Sequence, residues 1–339
     1  MSFSDRAYTV IMDDMFVFSF SKMATLVNLV FTNYREDSEM SLEHYLMRKK
    51  EELQETLKGV RTEEKVRNEI VGSMLAADKK RILNKINRYR KNRRAGGSEL
   101  IRLKIKNTEY LESEECPEDA VYGGRAGQYV KCVLEEYAEL PFIERARIIK
   151  KDVYREINNA IELKKILRVK TEVDGHPEYF LVYPYKIVSD LMDTRDYLVG
   201  YTRKRGERSN EKRAASFTIV RMNDVKVMEE KAFLSEKDIR ELEKSLRERS
   251  AAFLLQETSE IRVRLTKEGK KLYNRKLYSR PERIVERSTE DEYVFNCTEN
   301  QAYNYFIYFA GEAEVLSPDS LRKRMTEVYK KGYKRYGGK

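Results

Sequence analysis

The spacing of hydrophobic residues predicts helices in the first half of the chain. Apolar side chains recur at intervals of three and four in residues 26–34 and again in residues 129–137, which places them on one face of a helix. The two segments match at Val27/Val130, Val30/Val133 and Tyr34/Tyr137, an offset of 103 residues. We interpret this match as a weak internal repeat. Further helices are predicted over residues 41–57, 62–75 and 78–93.

A short stretch of alternating or β-branched residues precedes each copy of the repeat. These stretches are residues 8–12 and 101–106, and the second sends Arg102, Lys104 and Lys106 to one face of a strand. A strand followed by helices is the order of a ribbon-helix-helix unit, whose paired strands present a polar face to a nucleic-acid groove. The pattern therefore predicts a ribbon-helix-helix-like region over residues 1–150, with those three cations as auxiliary nucleic-acid contacts.

The pattern changes to short alternating segments after residue 155. Strands are predicted over residues 166–173, 179–183, 197–202 and 216–221, with a turn at Asp174-Gly175. These segments favour a small, mostly antiparallel sheet or barrel. Ser235, followed three residues later by Asp238, then indicates the start of a connecting helix.

The last eighty residues alternate strands and helices in the order βαββαβ, followed by a terminal helix, which predicts a ferredoxin-like domain. Its second strand is predicted over residues 283–286. The helix over residues 300–309 carries more aromatic surface than one helix face can readily bury, so we consider either a dimer interface or burial within the domain. The aromatic residues are Tyr303, Tyr305, Phe306, Tyr308 and Phe309.

Composition and charge narrow the possible functions. The 339 residues include 67 Lys and Arg against 57 Asp and Glu, a formal net charge of +10, which favours polyanionic partners. With 37% charged and 41% hydrophobic residues, the chain is too polar for a membrane protein and too apolar to be disordered. Because no uncharged run reaches membrane-spanning length and the first residues are acidic, we expect a cytoplasmic protein.

Candidate catalytic chemistry is sparse. The cysteines Cys116, Cys132 and Cys297 are far apart, and His44 and His176 add no metal-ligand spacing. The chain has neither a Walker-type loop nor a carboxylate cluster with metal spacing. We therefore expect a protein without enzymatic activity, cofactor or metal.

The predicted helix over residues 78–93 is strongly basic. Its cations occur at residues 79, 80, 81, 85, 88, 90, 91 and 93. Such a run is either a solvated face or a phosphate-contacting surface, and Arg88 is taken as its candidate nucleic-acid contact.

Four segments in the second half resemble the WYL domain in order and spacing. They are Ile157 to Ile161, Pro184-Tyr185, Asp196 to Tyr201 and Phe217 to Met222. Asp196 stands where the family has its Trp, whereas Tyr197 and Leu198 match the rest of the triplet. Gly311 to Pro318 with Leu321 is similar to the extension that follows WYL domains. The resemblance covers about residues 155–335.

The resemblance implies an Sm- or SH3-like barrel with a basic pocket that senses nucleic acid or a nucleotide. Tyr197 and Arg221 match motif positions, and Tyr201, Arg203, Arg205 and Arg213 are added because they lie nearby in the sequence. Guanidinium groups bind phosphates and tyrosine rings stack on unpaired bases. The alternatives are that Tyr197 packs in the core and that residues 203–208 are only a flexible basic loop.

The region before the WYL segments resembles that of the WYL accessory proteins of type VI-D CRISPR systems, through Gly123-Gly124-Arg125 and Val130 to Pro141. That resemblance implies single-stranded RNA binding, stimulation of an RNA-guided RNA-cleaving effector, and a homodimer formed through the C-terminal part. The alternative is a DNA-binding transcriptional regulator whose WYL domain senses a ligand.

The expected architecture is therefore an α+β multidomain chain. Its expected parts are the N-terminal region 1–150, a WYL domain 151–232, a linker helix 233–257 and a C-terminal extension 258–339.

Overall fold

The chain folds into two compact units, residues 1–151 and residues 152–339, in a computed structural model. The structure describes residues 1–61, 63–113, 116, 119–173, 176–190, 194–204, 212–249, 251, 254 and 258–337. The predicted turn at Asp174-Gly175 lies outside these residues.

The first unit is helical and is built around its seventh helix. Every residue from Tyr129 to Ala138 is buried, and this helix packs against the first, second and fourth helices. The second and seventh helices are the two copies of the predicted repeat, so the helical spacing of both copies is confirmed. The helices are α1 (Asp5–Val17), α2 (Met23–Tyr34), α3 (Leu42–Leu57), α4 (Glu64–Lys91), α5 (Ile105–Glu112), α6 (Asp119–Tyr122), α7 (Ala126–Glu139) and α8 (Phe142–Ile149).

The predicted ribbon is wrong, because none of the described residues of this unit forms a strand. Residues 8–12 lie inside α1, where burial of Ala7, Ile11 and Asp14 follows helical spacing. Residues 101–104 are irregular, since their backbone bonds to a side chain instead of a neighbouring strand. Asn28 Nδ2 donates to the Arg102 carbonyl at 3.0 Å, and the Lys104 amide donates to Asn28 Oδ1 at 2.7 Å.

The two helices predicted over residues 62–75 and 78–93 are one continuous helix, α4. No proline interrupts residues 76–78, and Ala76, Ala77 and Asp78 continue the helical turn. The basic run from Lys79 to Lys91 therefore occupies the last four turns of a long helix, and Arg93 lies just beyond its end.

The second unit begins with α9 (Lys151–Glu162) and an open antiparallel sheet in the order β4-β3-β2-β1-β5. The edge strands β4 and β5 do not pair among the described residues, so the predicted closed barrel is wrong. After β4 the chain makes a short 3-10 turn over Ile219–Arg221 and then pairs with β1 instead. The strands are β1 (Lys165–Val173), β2 (His176–Asp190), β3 (Arg195–Lys204), β4 (Arg213–Thr218) and β5 (Asp224–Lys231).

The two faces of this sheet are covered by different helices. Ile157 and Ala160 of α9 pack on one face against Leu198 and Phe217. Leu242 of α10 (Glu236–Arg249) packs on the other face. The predicted start of α10 is confirmed: the Ser235 amide donates to Asp238 Oδ2 at 2.8 Å, and the Asp238 amide donates to Ser235 Oγ at 3.1 Å.

The C-terminal segment has a three-stranded antiparallel sheet in the order β7-β6-β8. The strand predicted over residues 283–286 is absent, because only Arg283 bridges to Phe295 before a 3-10 turn. A four-stranded ferredoxin-like sheet is therefore not formed by the described residues. The elements are β6 (Ser259–Leu265), α11 (Lys267–Arg275), β7 (Glu292–Cys297), α12 (Glu299–Phe306), β8 (Ala313–Ser317) and α13 (Asp319–Arg335).

Most of the aromatic cluster forms the core of this segment. Tyr305, Phe306 and Phe309 are buried and contact one another, and Phe306 also contacts Phe295 of β7. Tyr308 alone of the five is strongly exposed, at 75%, with Lys276 Nζ 3.9 Å from its ring centre. Burial within the domain therefore accounts for most of the aromatic surface.

Candidate nucleic-acid interface

The two tyrosines predicted to stack on bases are core residues. Tyr197 and Tyr201 are 4% and 6% exposed and lie on the face of β3 that α10 covers. The Tyr201 hydroxyl donates to the Asp238 carbonyl at 3.2 Å and to Glu241 Oε2 at 3.4 Å. Burial, reinforced by the Glu241 charge, raises the pKa of Tyr201 to about 12. In this structure neither ring can stack on a base, because α10 occupies that space.

The three predicted arginines that the structure describes do not converge on one site. Arg203 is half-buried on the α10 face of β3. Arg213 pairs with Thr202 and therefore points to the opposite face. Arg221 is exposed in the 3-10 turn after β4, and Arg205 lies outside the described residues.

Asp196, at the position where the family has its Trp, is a buried contact between α9 and the sheet. Its side chain is 1% exposed and accepts a hydrogen bond from the Tyr154 hydroxyl at 2.7 Å. Asp196, which stands in place of the motif's Trp, therefore links α9 to the sheet.

A row of cations crosses four strands on the α10 face of the sheet, beyond the part that α10 covers. The strand register places Lys226 opposite Arg168, Arg168 opposite Leu181, and Leu181 opposite Arg203. Directly opposed residues of antiparallel strands project to the same side. Lys226, Arg168 and Arg203 therefore form one line of positive charge from β5 to β3.

The adjacent row of the same face adds one more cation, Lys170, and an aromatic ring, Tyr179. Lys170 lies opposite both Asp224 and Tyr179, and Tyr179 is 36% exposed. Arg168 Cζ and Lys170 Nζ lie 5.6 and 5.7 Å from the centre of the Tyr179 ring. Asp224 is the one carboxylate in these two rows. We call Arg168, Lys170, Arg203 and Lys226, together with Tyr179, the cationic face.

Arg168 makes one exposed ion pair within the chain. Its Nη2 bonds Asp224 Oδ2 at 3.0 Å, in an ion pair that is too exposed to be strong. Because this pair is exposed, the guanidinium group remains available to an anionic ligand on a surface of like charges.

Sequence reasoning found Arg203 but missed the other members of the cationic face. The missed signal was alternation: Ile166, Arg168 and Lys170 occupy one side of β1, as Lys226 does on β5. Knowing that these strands are neighbours required the sheet order, which the local pattern did not contain.

The auxiliary residues predicted in the first unit are dispersed. Arg102, Lys104 and Lys106 are exposed on and after an irregular segment. Arg88 is exposed, but its Nη2 bonds Glu139 Oε1 at 2.7 Å and its guanidinium lies 5.0 Å from the Tyr89 ring centre. Without a paired ribbon, the three cations have no strand surface with which to enter a DNA groove.

Among the described residues, no group of three or more His, Cys, Asp or Glu side chains is placed to hold a metal ion. No helix among these residues is long and apolar enough to cross a bilayer.

One family model matches the C-terminal segment. Residues 257–331 match the model of the WCX domain, which confirms the predicted extension of a WYL-type chain. No curated protein matches the sequence.

The whole chain shares its fold with a solved structure described as a CRISPR Cas-related protein. The match covers 99% of this chain and 93% of that one, with a TM-score of 0.72 and 22% identity. A proteasome accessory factor B/C (PafBC) of Arthrobacter aurescens matches 78% of this chain and 36% of its own, at 16% identity. Its TM-score of 0.33 is too low for a shared overall fold.

Proposed function

We propose that this chain is a noncatalytic regulator that binds single-stranded RNA on its cationic face and stimulates an RNA-targeting CRISPR effector. The observation that carries the proposal is the row of Lys226, Arg168 and Arg203 across four adjacent strands. One carboxylate in two rows leaves this surface with a clear positive excess.

The geometry suits a nucleic-acid backbone. Strands lie about 4.8 Å apart, so the three strand intervals from Lys226 to Arg203 span about 14 Å. Cations spread over that distance can contact successive phosphates. Tyr179 lies beside the row and is exposed enough to stack on a base. A single strand offers the unstacked bases that such a ring needs, which favours RNA single strands over duplex DNA.

The CRISPR assignment is supported by the fold shared with a CRISPR Cas-related protein and by the WCX domain. The resemblance to the WYL accessory proteins of type VI-D systems adds the RNA-cleaving effector as the partner. A homodimer and a cytoplasmic location belong to the same proposal.

RNA binding is tested by fluorescence anisotropy with a labelled single-stranded RNA, titrated with the full chain at about 50 to 300 mM salt. The test variant is Arg203→Gln with Lys226→Gln, because neither side chain makes an ion pair among the described residues. We expect weaker binding and a salt slope reduced by about 1.4, the value for two lost phosphate contacts on a single strand.

The matched control is Arg213→Gln with Arg221→Gln, which removes the same charge from exposed positions off the cationic face. We expect little change in its salt slope. If this pair weakens RNA binding as much as the test pair, the cationic face is not the site. Preferential binding of duplex DNA by the unmodified chain would contradict the RNA assignment.

Effector stimulation is tested by RNA-reporter cleavage. A purified type VI-D effector with its guide is assayed with and without the chain. We expect faster cleavage with the unmodified chain and a loss of this increase for Arg203→Gln with Lys226→Gln. If cleavage is equally fast without the chain, the effector is not its partner. The RNA-binding part of the proposal would not be affected by that result.

The homodimer is tested by light scattering during size-exclusion chromatography. We expect a mass of twice the 40.2 kDa of one chain. Exposed Tyr308, Tyr333 and Tyr336 provide aromatic surface in the C-terminal segment for this contact. A concentration-independent mass of one chain would overturn it.

A further inference from the structure

Two adjoining cavities lie in the first unit, between the end of α4 and the start of α7. Their volumes are about 450 and 240 Å³. They share Arg93, Arg125 and Gln128 as lining residues, so they form one continuous depression. The larger one alone has the size of a site for a small ligand.

The lining is strongly positive. It contains Arg90, Lys91, Arg93, Arg125 and Lys131 and, among the described residues, no carboxylate. Earlier cations of α4 are neutralised within the chain: Arg81 pairs with Glu39, Lys85 with Glu136 and Arg88 with Glu139. In the described part of the chain, Lys91, Arg93 and Arg125 have no such ion pair.

The wall of the cavity is held in place by buried contacts. Lys131 is only 4% exposed, and its Nζ donates to the carbonyl oxygens of Arg90, at 3.3 Å, and Asn92. Burial lowers the pKa of Lys131, nearby Glu135 opposes this effect, and nearby Arg93 adds to it. Lys131 therefore contributes a further cation to the lining.

Arg90 is fixed from two sides. Its Nη1 donates to the Val121 carbonyl at 3.2 Å, and its Nη2 lies close against Gly123. A Cβ at Gly123 would approach that Nη2 to 2.9 Å, and the residue has φ +68°, so glycine leaves space for the guanidinium.

We propose that this cavity binds an oligophosphate, that is, two or more linked phosphate groups on a nucleotide or on the 5′ end of an RNA. One phosphate monoester carries at most about two negative charges, too few to balance five cations. A triphosphate chain matches that charge better. Apart from Met1 and Tyr122, whose hydroxyl is already bonded to the Met40 carbonyl, the lining side chains are polar, so the phosphates supply the recognition.

The site is tested by isothermal titration calorimetry of the full chain with inorganic tripolyphosphate. Arg93→Gln with Arg125→Gln removes two exposed, unpaired cations and should leave the melting temperature unchanged. We expect affinity to fall about 50-fold in this variant, as charge-assisted hydrogen bonds are lost. The control Arg102→Gln with Lys104→Gln changes the same charge in the same unit outside the cavity and should bind normally.

Absence of tripolyphosphate binding to the unmodified chain, or an equal loss in the control, would overturn the site. The cationic-face variant Arg203→Gln with Lys226→Gln should bind tripolyphosphate normally, which keeps this test independent of the proposed function.

The source of the phosphates is resolved with three further titrants: ATP, a short RNA with a 5′-triphosphate and the same RNA with a 5′-hydroxyl. Tighter binding of the triphosphate RNA than of the hydroxyl RNA, lost on Arg93→Gln with Arg125→Gln, assigns the site to RNA ends. A preference for ATP, lost in the same variant, assigns it to free nucleotides. If the cavity variant alters the binding of none of the three, the oligophosphate assignment is wrong.

Discussion

Gly200 fixes the local geometry of the sheet around the buried tyrosines. It lies opposite Pro184, where β2 has a register shift between Pro184 and Lys186. A Cβ at Gly200 would lie 2.2 Å from the Tyr183 carbonyl oxygen, a backbone atom that cannot move aside cheaply. The close approach of the two strands therefore requires glycine at this position. Within the motif, Gly200 has a structural role.

Gly200→Ala should destabilise the second unit by about 2 kcal/mol, since overpacking forces the backbone of β2 to shift. Thermal denaturation of the full chain measures the effect. Gly332→Ala is the control, because a Cβ there meets nothing within 4 Å and the residue lies inside α13. If the two variants melt alike, the strand approach at Gly200 is not tight.

The buried carboxylate of Asp14 depends on one arginine. Asp14 is 1% exposed, accepts from the Tyr137 hydroxyl at 2.5 Å and from Arg145 Nε at 2.8 Å. A buried charge that loses its partner is costly, whereas an exposed pair contributes little.

Arg145→Leu should therefore lower the free energy of unfolding of the first unit by about 3 kcal/mol. Arg48→Leu, which breaks an exposed pair with Asp37 in the same unit, should cost about 0.5 kcal/mol or less. Urea denaturation followed by circular dichroism compares them. Equal losses would mean that Asp14 is stabilised mainly by Tyr137.

The sequence supports residue-level prediction where a motif or a periodic pattern is strong. It identified Ser235 and Asp238 as a reciprocal cap, and the structure confirms both hydrogen bonds. It grouped Arg203 with Arg213 because they are close along the chain, although their strand positions send them to opposite faces. Proximity in sequence does not determine side-chain direction once two strands pair.

At the scale of elements, the helix α10 divides one sheet face into two parts. It covers the rings of Tyr197 and Tyr201 and leaves the next rows, with Arg168, Arg203 and Tyr179, uncovered. The aromatic residues of the motif thus support the helix, and the ring available for stacking belongs to β2.

Tyr179→Ala should weaken single-stranded RNA binding by about 1 to 3 kcal/mol, the usual contribution of one stacked base. Tyr201→Phe should leave the affinity unchanged, because its hydroxyl bonds to α10. Fluorescence anisotropy with the same labelled RNA compares the variants. A larger loss for Tyr201→Phe would place the RNA where α10 lies.

The elements themselves were predictable to different degrees. Helices with a clear apolar stripe, such as α2 and α7, follow from spacing alone. The strand expected over residues 101–106 failed because alternation over six residues also describes an irregular segment whose backbone is bonded by Asn28. Such a side-chain contact, 74 residues away in the sequence, is invisible to local patterns.

At the scale of the molecule, the excess of ten positive charges is unevenly distributed, because many cations form ion pairs within the chain. Much of the basic helix α4 is neutralised by Glu39, Glu136 and Glu139. Among the described residues, cations with few carboxylates beside them gather on the cationic face of the second unit and in the cavity of the first. Composition predicted a polyanionic partner, but only the paths of the strands and helices show which cations remain for it.

Buried tyrosines make the folded state less stable at alkaline pH. Burial raises the pKa of Tyr122, Tyr129 and Tyr305, and burial with the Glu241 charge raises that of Tyr201 to about 12. A raised pKa means that the fold favours the neutral phenol. The resulting stability is fully present below the unfolded pKa of about 10 and is lost as pH rises through the folded values.

Tyrosinate absorbance can follow this loss without interference, because the chain has 23 Tyr and no Trp. Because burial raises the pKa of Tyr122, Tyr129 and Tyr305, we expect these tyrosines to ionise together as the chain unfolds. Tyr201→Phe removes one phenol that must ionise, so the variant's stability should fall less steeply between about pH 10 and 12. Independent ionisation of all the tyrosines near pH 10, with unchanged circular dichroism, would contradict their burial.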